Sequence, residues 1–330
     1  MSAPPLSSTP PTPSGPIAKK RDRAISYKGE RGVRNSVVIT LIAFNLLLLV
    51  IPVGIAIVGS FHNWNPLNGT FDPVGLANYS RMFNDPRLVT SVLNTVIFSA
   101  FAITARVVLG LALAIAIFTR VTRYKTFFRA LFYMPTVTPL VAVAYVWKMM
   151  YDPQVGAINT FLGMDINWLF DTRFALPAII LMTIWKDFGY AVILFLAGLY
   201  SLPEDVMEAA AVDGATPWKR FWYVTLPLLR PMTIFVVITS LIAYLQAFIQ
   251  VLVLTKGGPG SSTYLLSYLI YDEAFVKYNF GYASAIAFGL LVVTASLTAL
   301  SFAISGMGGL PRRRSRSRTV GTSKEGDAHA

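Results

Sequence analysis

The chain has 330 residues, 55% of them hydrophobic and only 13% charged; soluble globular proteins carry about 25% charged residues, so the composition points to a membrane protein. It has no cysteine, which excludes a disulfide framework, a thiol nucleophile and a Cys-based zinc site, and its two histidines are too few for a His-rich metal site. The formal net charge of +12 would suit nucleic acid, but its distribution along the chain fits a membrane topology signal instead.

Residues 1–18, MSAPPLSSTPPTPSGPIA, hold six prolines among serines and threonines and cannot bury a core. With the basic stretch 19–34 they form an N-terminal tail, 1–35. The run 36–61, SVVITLIAFNLLLLVIPVGIAIVGSF, is too long for a signal-peptide core, and no small-residue cleavage site follows it. It reads as an uncleaved span, since about 20 apolar residues cross the hydrocarbon core as a helix. Five more spans follow at 89–118, 129–150, 174–200, 226–255 and 281–305. The fold expected is therefore an all-α polytopic membrane protein with six transmembrane helices over 36–305. A basic C-terminal tail, 306–330, includes PRRRSRSR (311–318).

The charge distribution orients these spans. Lys and Arg number seven in 1–35, four in 119–130, three in 201–231 and six in the C-terminal tail, against two each in 61–88, 148–173 and 256–280. The positive-inside rule places both termini and the loop 201–231 in the cytoplasm. The chain is expected in the cell membrane, with the basic tail near anionic lipid and no nucleic-acid partner.

The loop between spans four and five has its own local structure. Ser201 and Glu204 in SLPE form a capping-box pattern, with Pro203 in the first turn. A helix is expected over 204–213, EDVMEAAAVD, and Gly214 supplies the left-handed turn that ends it. Thr216 can cap a second short helix with Pro217 at its first position, and LPLLRP (226–231) breaks it before span five.

Charges inside spans are expensive, at least about 2.5–3.5 kcal/mol at mid-bilayer, so Arg106, Lys186 and Asp187 must face protein or water. Thr183, Lys186 and Tyr190 share one helical stripe. Ser240, Tyr244 and Ala247 share another, with Gln250 at its margin. Such linings suit hydroxyl-rich solutes. The alternative for Lys186 and Asp187 is a structural role, with Asp187 paired to Arg106. Pro135 and Pro139 in MPTVTP (134–139) break span three, as helices beside transport sites often are. No phosphate-binding G-x-x-x-x-G-K-[ST] occurs, and no G-x-S-x-G, H-E-x-x-H or paired-carboxylate arrangement suggests an enzyme.

Taken in order, EAAAVDGATPWKRFWYVTLPLLRP (208–231), LAGLYSLPEDVMEAA (196–210), VLTKGGPGSST (253–263) and FGYASAIAFGLLV (280–292) resemble the motifs of ABC-importer permeases, and most of all sugar permeases of the maltose and glycerol-3-phosphate type. The resemblance covers about residues 36–305. It implies that 201–231 is the EAA coupling loop, in which Glu208, Ala209, Ala210, Asp213, Gly214, Ala215, Leu226 and Pro227 engage a cytoplasmic ATPase. A local alternative for Glu208 is pairing with Lys219 or Arg220. It also implies a solute path past Thr136, Leu140, Thr183, Lys186, Ser240, Ala243, Tyr244 and Ala247, beside the stripe residues Tyr190 and Gln250. Leu140, Ala243 and Ala247 cannot donate hydrogen bonds, which departs from the maltose-type pattern. The expected partners are a second homologous permease, an ABC ATPase dimer that binds ATP and Mg, and an extracytoplasmic sugar-binding protein, soluble or lipid-anchored. The chain itself needs no cofactor and no metal. The alternatives are a secondary or passive transporter, or an ABC importer of a non-sugar solute such as a glycerol phosphodiester.

Overall fold

The computed structural model describes residues 28–119 and 124–305. The two tails, except 28–35, therefore lie outside the described residues. The chain divides into two units, Met1–Val53 and Gly54–Ala330. In the first unit α1 (Lys28–Asn45) runs into a π-helical turn (Leu46–Val50) and then into α2 (Ile51–Gly59), whose end belongs to the second unit. Its apolar side chains, from Val37 to Val53, are largely exposed.

In the second unit an antiparallel ribbon of β1 (His62–Asn65) and β2 (Thr70–Pro73) precedes α3 (Ala77–Asn84). This ribbon amends the all-helical expectation: a four-residue loop, 66–69, with Gly69 at φ +72°, lets four residues pair on each side. Then come α4 (Pro86–Phe118), α5 (Lys125–Val137), α6 (Leu140–Met150), α7 (Ala157–Leu162) and α8 (Ala175–Tyr200). The loop helices are α9 (Glu204–Val212) and α10 (Pro217–Arg220), which continues through a π turn (Phe221–Thr225) into α11 (Leu226–Leu228). After α12 (Arg230–Leu245), α13 (Ile249–Leu254) and α14 (Leu266–Tyr271), a π turn (Asp272–Val276) leads to α15 (Phe280–Ser305).

Among the described residues, four helices are long and apolar enough to cross a membrane, and up to six if each of two bent pairs counts as one span. Both bends fall where the sequence placed breaks, in MPTVTP and in LPLLRP. The stretch 129–150 is α5 and α6, bent by 93°, and the bend falls at Thr138–Pro139. Pro139 cannot donate to the α5 ladder and disfavours helical geometry at Thr138, whereas Pro135 is absorbed within α5. The stretch 226–255 bends by 63° at Leu229, between Pro227 and Pro231, and breaks again at Gln246–Phe248.

The centre of this unit is α4 beside α8. Gly110 lies against Ala191, where a Cβ would meet the alanine at 2.6 Å, and Phe118 meets Tyr200 edge to face, so the two helices run in the same direction. Small residues that let backbones approach are how helices associate in lipid, where packing rather than water exclusion drives contact. One buried cluster joins Phe98, Ala144, Ile179, Met182, Tyr244 and Val251; a second joins Ile117, Val192, Phe195, Leu199, Leu229 and Val236.

Candidate functional site

The loop forms as two helices turned at a glycine. Helix α9 covers Glu204–Val212 and closes with paired bonds, Ala215 N–H to Ala210 O (3.0 Å) and Gly214 N–H to Ala211 O (3.1 Å). This closure puts Gly214 at φ +74°, where a side chain would strain the backbone, although nothing lies within 4 Å of its position. Thr216 Oγ1 accepts from Lys219 N–H (3.4 Å), with Pro217 in the first turn of α10 as expected. The capping box is not formed. Ser201 instead ends α8, its hydroxyl donating to Gly198 O (2.8 Å), and Pro203 occupies the α9 N-cap with no side-chain bond. The unspent carbonyls of α8 compete for Ser201 and win, because it follows that helix directly.

Glu208, Ala209, Asp213, Gly214 and Pro227 are exposed; Ala210, Ala215 and Leu226 are half-buried. Among the described residues no ion pair joins Glu208 to Lys219 or Arg220. Helix α9 buries no residue, and a cavity of about 590 Å³ separates it from the ends of α4 and α8, bordered by Glu204, Glu208 and Arg220. The loop thus stands off the spans with its charges open to another molecule.

The expected solute-path residues divide. Thr183 and Ser240 are buried, and their hydroxyls donate to carbonyls four residues back, Ile179 O (2.8 Å) and Val236 O (2.5 Å). Thr136 and Lys186 bind each other: Thr136 Oγ1 donates to Lys186 O (3.0 Å) and Lys186 Nζ to Thr136 O (3.2 Å). Lys186 therefore satisfies a carbonyl in the last turn of α5, where the helix dipole favours a cation. Its stripe neighbours do not share this role. The same junction is tight at Gly189, where a Cβ would lie 1.9 Å from Phe132 O.

Lys186 also pairs with Asp187 (3.5 Å); the alternative pairing of Asp187 with Arg106 is not formed among the described residues. Arg106 is buried and sits over the rings of Tyr190 (5.3 Å) and Tyr244 (5.8 Å). Its Nε, the Tyr244 hydroxyl and Gln250 Oε1 are buried without hydrogen-bond partners among the described residues. A cavity of about 240 Å³ opens where the two broken spans meet, bordered by Leu140, Asp187, Ala243, Tyr244, Ala247 and Gln250. The structure thus brings Tyr244 and Gln250 to one cavity and leaves Thr183 and Ser240 off it. Asp187, whose role the sequence left open, is its acidic wall.

A further polar cluster has no counterpart in the sequence reading. At the N-terminal end of α4, Glu273 is fully buried and receives Arg87 (2.9 Å), Lys277 (2.9 Å) and Arg81 (3.4 Å). Arg81 also stacks over Tyr282 (3.9 Å). Asp85 caps α4 by accepting from Arg87 N–H (2.9 Å) and from Tyr282 Oη (2.9 Å). Burial opposes ionisation of Asp85, but the Arg87 amide, the Tyr282 hydroxyl and the Arg87 charge outweigh it and hold the carboxyl below its ordinary value. Lys277 is a local i,i+4 partner of Glu273, but Arg81 arrives from 192 positions away, so the local spacing does not show the cluster. Among the described residues, no group of three His, Cys, Asp or Glu could hold a metal.

Residues 106–307 match the family model described as the binding-protein-dependent transport system inner membrane component. The chain belongs to this family. This permease is 36% identical over 249 residues to the multiple sugar-binding transport system permease protein MsmF of Streptococcus mutans, covering 74% of the chain and 86% of that protein. It is 37% identical over 235 residues to the sn-glycerol-3-phosphate transport system permease protein UgpA of Agrobacterium fabrum, covering 69% of the chain and 79% of that relative. Its fold matches a chain in the crystal structure of a bacterial ABC transporter involved in the import of the acidic polysaccharide alginate, with a TM-score of 0.75 at 20% identity, over 86% of this chain and 98% of that one. The protein is therefore a multi-pass membrane permease subunit and not an enzyme.

Proposed function

We propose that this permease is one of two homologous membrane subunits of an ATP-driven importer that takes up carbohydrate from an extracytoplasmic binding protein. Six spans over 36–305, with 1–35, 201–231 and 306–330 in the cytoplasm, are the topology in which it works. The observation that carries the reading is the helix–Gly214–helix loop, exposed on every coupling residue or half-buried, within a chain of the binding-protein-dependent family. Glu208, Ala209, Ala210, Asp213, Gly214 and Ala215 present that loop to an ATPase dimer, which supplies ATP and Mg. Leu226 and Pro227 transmit its movement to α12 through the 63° bend. A closing ATPase displaces α9 and α10 as a rigid pair, and the two broken spans respond at the cavity walled by Asp187, Tyr244 and Gln250. Thr136, Lys186 and Tyr190 hold that wall, and Thr183 and Ser240 pack behind it.

Carbohydrate is favoured because MsmF carries sugar binding in its name and because the cavity offers a phenol and an amide. A second reading, a phosphorylated polyol, rests on UgpA and on the buried cation Arg106. The family favours a powered importer over a passive transporter. The test is a pull-down of the tagged chain from its own host, repeated with Gly214→Asp. Recovery of an ATPase and a second permease, with the ATPase lost in the variant, is expected. A chain that emerges alone, or with partners indifferent to Gly214, contradicts the proposal.

A further inference from the structure

An apolar trough of about 530 Å³ runs between α4 and the second loop helix. Leu111 and Ile115 form one wall, and Trp218, Phe221 and Trp222 the other, with no charged residue in the lining. It continues into a cavity of about 620 Å³ that shares Ile115, Pro217 and Phe221, and whose wall adds Lys125 and Arg220. Among the described residues, neither cation has a carboxylate within 4.0 Å. Among the described residues, Lys125 donates one N–H, to Phe118 O (2.9 Å), which leaves two for another acceptor, and the half-buried Arg220 side chain makes no hydrogen bond. Glu204 and Glu208 border a neighbouring cavity with Arg220 and no part of this one. Trp218 and Trp222 are 70% and 46% exposed at the mouth of the trough.

The α4 wall lies inside a candidate membrane span, so what meets it is hydrocarbon rather than water, sugar or an ATPase. Tryptophans at one end mark a membrane–water boundary, and basic pockets between spans hold anionic headgroups. We infer that an anionic phospholipid of the surrounding bilayer occupies this site. An acyl chain lies along Leu111, Ile115 and Trp222, and the phosphate sits between Lys125 and Arg220. The lipid braces α10 against α4, where the protein alone leaves space. This inference depends on neither the solute nor the ATPase.

The test uses the full-length permease in its complex, embedded in nanodiscs of phosphatidylglycerol diluted in phosphatidylcholine, with retained lipids counted by native mass spectrometry. The wild-type chain is expected to retain phosphatidylglycerol above its share of the mixture. Lys125→Gln with Arg220→Gln is expected to lower that retention roughly 30-fold, which is about 2 kcal/mol for two cations. Ala112→Trp, which fills the trough from an exposed position and leaves both cations in place, is expected to expel the lipid as well. If the double variant fails to assemble, Ala112→Trp decides alone. Equal retention of the two lipids, or retention unchanged in Ala112→Trp, overturns the inference. So does cross-linking of Ala112→Cys to the second permease, because a protein helix would then fill the trough.

Discussion

At the N-terminal end of α4, Glu273 is sealed from solvent and draws charge from Arg81, Arg87 and Lys277, while Asp85 caps the helix and binds Tyr282. At the other end of the same helix, the exposed Glu204, Asp205, Glu208, Asp213 and Lys219 lie on a loop without one ion pair among the described residues. Charge is conserved within the molecule at one end and left available at the other. A buried, fully paired network fixes the relative positions of α3, α4 and the start of α15. An exposed and unpaired set keeps its binding capacity for another chain, since its members lose little by staying hydrated. The contrast separates a clamp from the loop proposed to dock an ATPase more sharply than either sequence segment does by itself.

The clamp should break first. Glu273→Ala removes the buried carboxylate shared by three cations, of which Arg87 keeps Asp85 and Lys277 keeps Asp272, and removing one partner of a buried ion pair costs about 3–5 kcal/mol. The low end, about 3 kcal/mol, applies because the cationic side chains are 38–43% exposed. Thermal unfolding of the solubilised permease measures it, and a melting temperature equal to wild type would remove the clamp from this account.

Gly189→Ala probes the ground between the two ends. Its new methyl meets Phe132 O, so α5 and α8 must separate, at about 1–3 kcal/mol for overpacking. Transport should fall with stability here, because the Thr136–Lys186 contact lies one turn away. At the loop the two effects should part. Gly214→Val forces a branched residue to φ +74°, a strain of about 1–2 kcal/mol confined to an exposed turn. Co-purification of the ATPase should drop by about tenfold, as such a strain implies, with the melting temperature of the spans unchanged. A melting loss as large as that of Glu273→Ala would mean that the loop is part of the clamp.

The smallest effect is a pH dependence. Because the folded protein holds Asp85 below its ordinary value, its contribution is complete above the unfolded carboxylate range and is lost as pH falls through the lowered folded value. Asp85→Asn keeps an N-cap acceptor but loses the charge paired with Arg87, so it should cost about 1 kcal/mol or less at neutral pH, and the difference from wild type should vanish in strong acid. A difference that grows on acidification would reverse the sign and contradict the assignment.

Local chemistry was legible in the sequence wherever one turn decides the outcome. Gly214, Thr216 and Pro217 act where their residue types place them, and Pro139 breaks span three. Ser201 was misjudged because two helix ends compete for it, and the capping pattern describes only one. The second break of the fifth span, at Gln246–Phe248, carries neither glycine nor proline, so no residue there announces it. Helical spacing placed Thr183 and Lys186 on one stripe but could not show that Lys186 reaches across to α5 or that Thr183 is buried against its own helix. Glu273 was invisible for the same reason: its arginine partners arrive from helices far away in the chain.

The docking claim can be tested with a single cysteine, because the chain has none of its own. Ala209→Cys is exposed on α9, four residues before the turn. In membranes of the native host, a short thiol–amine cross-linker should join it to an ATPase chain, and the product should disappear when Gly214→Val is added. If the cysteine reacts freely with a small thiol reagent but never joins an ATPase, α9 is not the docking element, and the open charges of this loop require another explanation.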